Sequence, residues 1–314
     1  MSDERVEGPA LLVLGFSVFG VELPPGRGAA AYVRAVFSRG EVAEYYDTTQ
    51  VHYDRWWGLR QNLSLHYGIW DEDTASLAEA LTNTNRVLLE AADIGPDDRV
   101  LDAGCGVGGA GLYVHETAGA EVVGISLSER QVARANAEAR RRGVETRVAF
   151  QVMDFTATSF PAESFDVVWS CESICHVERA AFVAECVRLL RPGGRMVITD
   201  YFLADEASGD PRGHLRKWQA SWAMTPFVRS DRFAELLRAA GLRDVEVVDY
   251  TEAIRRTSRR MYLAALAAAL PSELYNALHP GVSRFARAHY KSGYHQYRAL
   301  RAGLWRYRVV RARK

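Results

Sequence analysis

From residue 99 onward the chain alternates short, β-branched apolar runs with longer polar-apolar stretches, and this rhythm restricts it more than any other feature. The runs are "RVLDAGCG" (99–106), "AEVVGISL", "RVAFQVMDF", "FDVVWSCE", "RMVITDYF", "RDVEVVDY" and the terminal "LWRYRVVRARK". Between them lie helix-forming segments: 108–118, "SERQVARANAEARRRG" closing on Gly143, "RAAFVAECVRLLRPGG" with a Pro-Gly-Gly stop, and a stretch at 231–241. Continuous apolar strands alternating with helices specify a parallel, doubly wound α/β sheet, because a crossover helix must cover each face. The expected fold is a Rossmann-like sheet of seven mostly parallel strands with helices on both faces, an N-terminal helical lid and helical cap insertions.

Composition sets outer limits. With 314 residues, 48% hydrophobic and 25% charged, the chain can build one large domain with appendages. The expected divisions are an extension of unknown role (1–40), a helical lid (41–95), a cofactor-binding core (96–203) and a cap region with the last strands (204–314). "PALLVLGFSVFGVEL" is too short and Gly-broken for a membrane span and lacks a cleavage signal. Cys105, Cys171, Cys175 and Cys186 form no CxxC, and Cys171, Cys175 and His176 lack the paired spacing of structural zinc, so reduced thiols in a cytoplasmic protein are expected. The zero net charge conceals a basic end: residues 251–314 hold 14 Lys/Arg against 2 Asp/Glu, a balance of +12 that leaves −12 on residues 1–250. Such an end faces solvent, an anionic ligand, the acidic remainder of the protein or an anionic membrane surface, without spanning it.

Chemistry concentrates where the strands end. In "VLDAGCGVGG" the glycines let the backbone turn tightly against a ligand at a helix N-terminus. The run Gly104-x-Gly106-x-x-Gly109 also fits a dinucleotide fingerprint, but the second strand ends in "GISLS", without the acid that would hold a nicotinamide cofactor's ribose. Acids stand elsewhere, at Asp102 and at Asp154 after the third strand. Behind the fourth strand, "WSCESICHV" places Glu172 and His176 four residues apart, a spacing that brings both to one face if that stretch is helical. A carboxylate and an imidazole at one mouth suit proton transfer.

"VLDAGCGVGG", "VVGISLSERQ", "VMDF" and "FDVVWSCESICH", in this order, resemble the class I S-adenosylmethionine-dependent methyltransferases. They are similar in particular to the tocopherol and sterol C-methyltransferase-like group, which shares features with cyclopropane fatty acid synthases. The resemblance extends from "EYYDTTQVHYDRWW" and "LHYGIWD" through residue 250, and more loosely to the terminal strand. It implies S-adenosylmethionine as cofactor, with Asp102, Gly104, Cys105 and Gly106 around its methionine part, Ser126 and Gln131 at the ribose, and Asp154 and Phe155 at the adenine. Tyr45 and Tyr46 would close over it from the lid. Glu172 and His176 become the catalytic candidates, and sterol-type members carry a similar "E-x-x-C-H" run there. No asparagine-proline-proline-aromatic motif follows the fourth strand, which speaks against a nucleic-acid substrate.

Aromatic residues point to the acceptor. Tyr45, Tyr46, Tyr53, Trp56, Trp57, Tyr67 and Trp70 crowd residues 41–70, and "HLRKWQASWAMTPF" adds Trp218 and Trp222. Rings suit both a hydrophobic pocket and stabilisation of cations. In "IRRTSRRMY" a helix would cluster Arg255, Arg256, Arg259 and Arg260, a pattern suited to phosphate oxygens. The expected acceptor-binding set is therefore Trp57, Tyr67, Trp218, Trp222 and these four arginines. The expected reaction is C-methylation of an isoprenoid alkene such as a prenyl diphosphate, with Mg2+ accompanying a diphosphate. The alternative is O- or N-methylation of a phenolic or amine secondary metabolite. A homo-oligomer is compatible with the sequence.

Overall fold

The computed structural model describes residues 37–207 and 209–314. The N-terminal extension, apart from its last four residues, therefore lies outside the described residues. Helix α1 (Arg39–Trp56) begins at a capping box in which the Ser38 hydroxyl accepts from the Glu41 N–H while the Glu41 carboxylate accepts from the Ser38 N–H. A short α2 (Leu59–Asn62) follows, then α3 (Leu77–Ala92), N-capped by Ser76.

The alternation from residue 99 gives β1 (Arg99–Ala103), α4 (Gly109–Ala118), β2 (Glu121–Ser126), α5 (Glu129–Arg142), β3 (Val148–Val152), β4 (Phe165–Cys171), α6 (Arg179–Leu189) and β5 (Leu190–Leu203). Helix α5 shows why the local sequence suffices here. Ser128 caps its start, Arg140, Arg141 and Arg142 complement the dipole at its end, and Gly143 adopts φ +69° as the left-handed C-cap. The Pro-Gly-Gly stop acts earlier than expected: α6 ends at Leu189, and Leu190 is already extended and paired with Phe165. Pro192 disfavours helix in the residue before it, so the chain leaves the helix before reaching the glycines.

Beyond β5 come α7 (His214–Ser221), α8 (Ser230–Ala239), β6 (Arg243–Asp249), α9 (Arg255–Leu278), α10 (Arg284–Arg301) and β7 (Trp305–Arg313). The seven strands form one sheet in the order β3-β2-β1-β4-β5-β7-β6, parallel except for β7, which runs antiparallel to both neighbours. That reversal follows from the chain's path. Helix α10 ends beside the carboxyl end of β5, where Ala204 N–H donates to Leu304 O, so the next strand can only run back between β5 and β6.

Apolar side chains fill both faces of the sheet. One cluster holds Val100, Leu112, Val122, Phe150, Trp169 and Leu88; the other holds Leu101, Ile125, Phe182, Phe202 and Phe233. A third cluster sits beyond the strand ends, where Tyr45, Tyr67, Tyr201, Trp218, Trp222, Trp305 and Tyr307 pack together. It joins the N-terminal helices and α7 to the core, and it forms one wall of the site.

Candidate active site

The carboxyl ends of β1 to β5, helix α1 and the segment after α2 enclose a cavity of about 230 Å³. Tyr45, Tyr46, Asp102, Gly104, Cys105, Gly106, Ser126, Gln131, Asp154, Phe155, Glu172, His176 and Trp222 all line it. This is where ligands bind in open α/β sheets, because the loops at the strand ends diverge there.

The turn after β1 forms the floor. Gly104 takes φ +97°, and both its N–H and that of Cys105 donate to Ile125 O at 3.0 Å, tying the turn to β2. A Cβ on Gly104 would lie 2.4 Å from the Ser173 Cβ, so a side chain there would displace the segment that carries the catalytic candidates. Asp102 lies beside this turn, 2% exposed, and its Oδ2 has no hydrogen-bond partner. Burial pushes its carboxyl up to about 7.

At the end of β2 the Ser126 hydroxyl donates to Gln131 Oε1 at 2.8 Å. Past β3, Asp154 Oδ1 accepts from the Thr156 N–H and hydroxyl, each at 2.7 Å, and Oδ2 pairs with Arg39 of α1. Phe155 stands edge-on to Phe182 at 5.6 Å.

Glu172 and His176 reach the cavity differently from the expected helical face. Glu172 takes φ +51° at the end of β4, a left-handed conformation that costs roughly 1–3 kcal/mol for a non-glycine residue. A single 3₁₀ turn, Ile174–His176, follows it. The strand-to-turn junction, not helical periodicity, brings both side chains inward.

Their environments differ sharply. The Glu172 carboxylate accepts from Tyr67 N–H at 2.6 Å, from Tyr307 O–H at 2.7 Å and from Tyr201 O–H. Burial nevertheless raises its pKa to about 8, against the lowering effect of these donors. His176 Nδ1 lies 3.0 Å from Ala223 O, which can only accept, so this nitrogen carries the proton. Nε2 is left as a lone pair and accepts from Tyr46 O–H at 2.9 Å. Burial lowers the imidazole to about 4, so it is neutral near pH 7, and it pushes the Tyr46 phenol well above its usual range. The Tyr46–His176 bond joins helix α1 to the end of β4 inside the cavity.

Other residues expected at the acceptor lie elsewhere. Trp57 packs into the core with Leu59 and Leu63. Tyr67 stands behind Glu172 and donates its hydroxyl to Gln296. Trp218 is fully buried among Trp222, Tyr201 and Trp305. Arg255, Arg256, Arg259 and Arg260 are exposed on α9, and none lines the cavity. Arg255 pairs with Glu252, and Arg256 lies over the Trp70 ring at 3.8 Å. Helical spacing did cluster the arginines, but spacing does not say which way a cluster faces.

Tyr201 and His66 line the cavity without having been marked by the sequence, and Tyr53 was counted only among the aromatic residues of 41–70. Tyr53 is bonded to Tyr45 hydroxyl to hydroxyl at 2.7 Å, and Tyr201 holds Glu172. His66, in the quoted "LHYGIWD", places Nδ1 2.9 Å from Tyr67 O, while its Nε2 is buried without a partner. A histidine inside an aromatic motif was the available signal.

Comparison with known proteins agrees with this geometry. A family model described as "Methyltransferase domain" matches residues 101–198, which hold most of β1, β2 to β4 and most of β5. The chain is 34% identical to the 27-O-demethylrifamycin SV methyltransferase of Amycolatopsis mediterranei over 68% of its length and 78% of that protein's. The chain belongs to the class I S-adenosylmethionine-dependent methyltransferases. This methyltransferase is also 35% identical to the geranyl diphosphate 2-C-methyltransferase of Saccharopolyspora erythraea, over 60% of this chain and 71% of that one. A crystal structure of geranyl diphosphate C-methyltransferase from Streptomyces coelicolor, in complex with Mg2+, geranyl diphosphate and S-adenosyl-L-homocysteine, superposes with a TM-score of 0.68. It does so at 21% identity, over 88% of this chain and 97% of that one, a likeness of fold. The cofactor is therefore S-adenosylmethionine, and the two relatives named here are, by their names, methyltransferases of small molecules.

Proposed function

We propose that this methyltransferase transfers a methyl group to a hydroxyl oxygen of a large, mostly apolar small molecule, with Tyr46 and His176 removing the hydroxyl proton. The observation that carries this reading is the His176 tautomer: a neutral imidazole fixed by Ala223 with its free nitrogen aimed at a tyrosine in the cavity. S-adenosylmethionine supplies an electrophilic methyl group on a sulfonium. The chain's own residues then have three tasks: to hold the cofactor, to align the acceptor and to take up one proton.

The residues fit the cofactor. The unpartnered, buried Asp102 Oδ2 is suited to its ammonium group, and the glycine turn, whose Gly104 and Gly106 line the cavity, to its methionine part. The Ser126–Gln131 pair supplies hydroxyl and amide groups for the ribose. Phe155 offers a ring, and Asp154 an acceptor, near the adenine. A test follows from Asp102. A cation beside it favours the ionised form, so binding requires loss of the proton held up to about pH 7. Affinity for S-adenosylmethionine, measured by calorimetry from pH 5.5 to 7.5, should weaken about tenfold per pH unit below about 7. In Asp102→Asn this slope should vanish.

The acceptor's hydroxyl would give its proton to the Tyr46 oxygen while the Tyr46 proton passes to His176 Nε2. Tyr46 is too weak an acid to hold a charge itself, so the proton passes to the imidazole, which burial keeps at about 4 and which therefore carries it only in passing. Among the described residues, Arg39 is the one Lys or Arg that lines the cavity, and it is engaged with Asp154. The wall is otherwise rich in aromatic and aliphatic groups, which suits an uncharged acceptor better than a diphosphate. The O-methyltransferase relative from Amycolatopsis supports the same choice of atom.

Carbon methylation of an isoprenoid acceptor is the second reading. It is favoured by the relative named a geranyl diphosphate 2-C-methyltransferase and by Glu172, which could stabilise a tertiary cation once it gives up the proton that burial holds up to about pH 8. The deciding measurement is transfer of labelled methyl groups to macrocyclic alcohols, prenylated phenols, uncharged prenyl alcohols and prenyl diphosphates, the last with and without Mg2+. Labelled ethers from apolar alcohols or phenols would support the proposal. Carbon-labelled prenyl diphosphate that requires Mg2+ would overturn it in favour of the second reading.

A further inference from the structure

Helix α9 carries an apolar row that nothing in the catalytic reading uses. Leu263, Leu266, Leu270, Leu274 and Leu278 recur at three- and four-residue intervals, so they lie along one face. All are exposed, Leu270 by 81% and Leu278 by 68%. From residue 261 to 283 the sequence contains one Asp, Glu, Lys or Arg, namely Glu273, and that carboxylate is paired with Lys291 of α10. The outer side of this helical hairpin is therefore both apolar and neutral.

The same face changes character at the start of the helix. At 100° per residue, Arg256, Arg259 and Arg260 fall in line with the leucines. Arg255 is engaged by Glu252 and Arg256 by the Trp70 ring, but among the described residues Arg259 and Arg260 have no carboxylate within 4 Å. We infer that this face of α9 docks on an anionic lipid bilayer, the leucines entering the acyl boundary and Arg259 and Arg260 meeting the headgroups. Charge selects this occupant. A second copy of the same face would bring more guanidinium groups and no free carboxylate, whereas an anionic bilayer supplies an apolar layer and negative charge together. No helix among the described residues is long and apolar enough to cross a membrane, so the contact is with the surface.

The face also ends at the site. Residues 279–283 join α9 to α10, whose first turn holds α1: the Ser283 hydroxyl donates to Glu44 at 2.7 Å, and Arg284 pairs with Glu41. Phe285 packs against Phe37 at 6.1 Å, and Phe37 lines the cavity. Docking therefore brings the rim of the cavity next to the phase in which an apolar acceptor dissolves. The docking inference itself does not depend on which atom is methylated.

Vesicle flotation of the full chain tests it. The protein should float with vesicles of phosphatidylcholine containing about one third phosphatidylglycerol and far less with phosphatidylcholine alone. Leu270→Glu/Leu274→Glu should lower the partition at least tenfold, and Arg259→Gln/Arg260→Gln about fivefold per arginine. The arginine variant reads the same face through charge alone, which keeps the test decisive if the leucine variant folds poorly. A chain that does not float, or floats equally well with both pairs replaced, would overturn the inference. So would a dimer seen by light scattering that Leu270→Glu/Leu274→Glu dissociates while vesicle binding stays absent.

Discussion

In the Gly104→Ala variant, S-adenosylmethionine binding should fall by about 30- to 900-fold, and the melting temperature should drop. Two costs add at this position. A non-glycine residue is strained at φ +97°, and the new methyl group would meet the Ser173 Cβ at 2.4 Å and its Oγ at 2.5 Å. Together they cost about 2–4 kcal/mol. Ser173 cannot give way freely, because its hydroxyl donates to Ala103 O and bonds Ser170, both at 2.6 Å. The turn must therefore move, and with it the N–H groups that tie it to β2. Calorimetric titration alongside a thermal melt checks this. Near-normal affinity in a folded variant would mean that the cofactor does not rest on this turn.

His176→Asn should lower the rate of methyl transfer by about 10²–10⁴-fold while leaving cofactor affinity within a few-fold. Asparagine can still donate to Ala223 O, which preserves the local fold, but it offers no basic nitrogen to Tyr46. Tyr46→Phe should cost less, about 10–100-fold, because an acceptor hydroxyl could then reach Nε2 directly. Single-turnover rates, with cofactor binding measured in parallel, separate the roles. If His176→Asn retained more than a tenth of wild-type turnover, His176 would be a fastener between α1 and the core and not the base.

Much of the fold was legible because it rests on local rules. Strand and helix alternation and the Gly143 cap each follow from residues within a few positions of one another, whereas the Ser38–Glu41 box and the Ser128 cap were seen only in the structure. The cofactor-side candidates came from the family resemblance that these motifs carry, and Asp102, Ser126, Asp154 and Phe155 stand at or just past strands that the pattern marks. The acceptor side was not. Tyr67, Tyr201 and Tyr307 come from three distant segments and converge on one carboxylate. No spacing announces that convergence, and β7 reaches it only by running back through the sheet.

The sequence by itself determined the parallel α/β core and the glycine-rich turn, because steric rules and hydrophobic periodicity act over short stretches, and its motifs carried the resemblance that named the candidates at the strand ends. Only the tertiary structure decided which aromatic residues face the cavity and which merely fill the core. It also set the His176 tautomer through Ala223, 47 residues away, and turned the four arginines outward on α9. The physical reason is the same in each case: a side chain's chemistry is fixed by its type, but its partners and its solvent are fixed by segments that meet it only after the chain has folded.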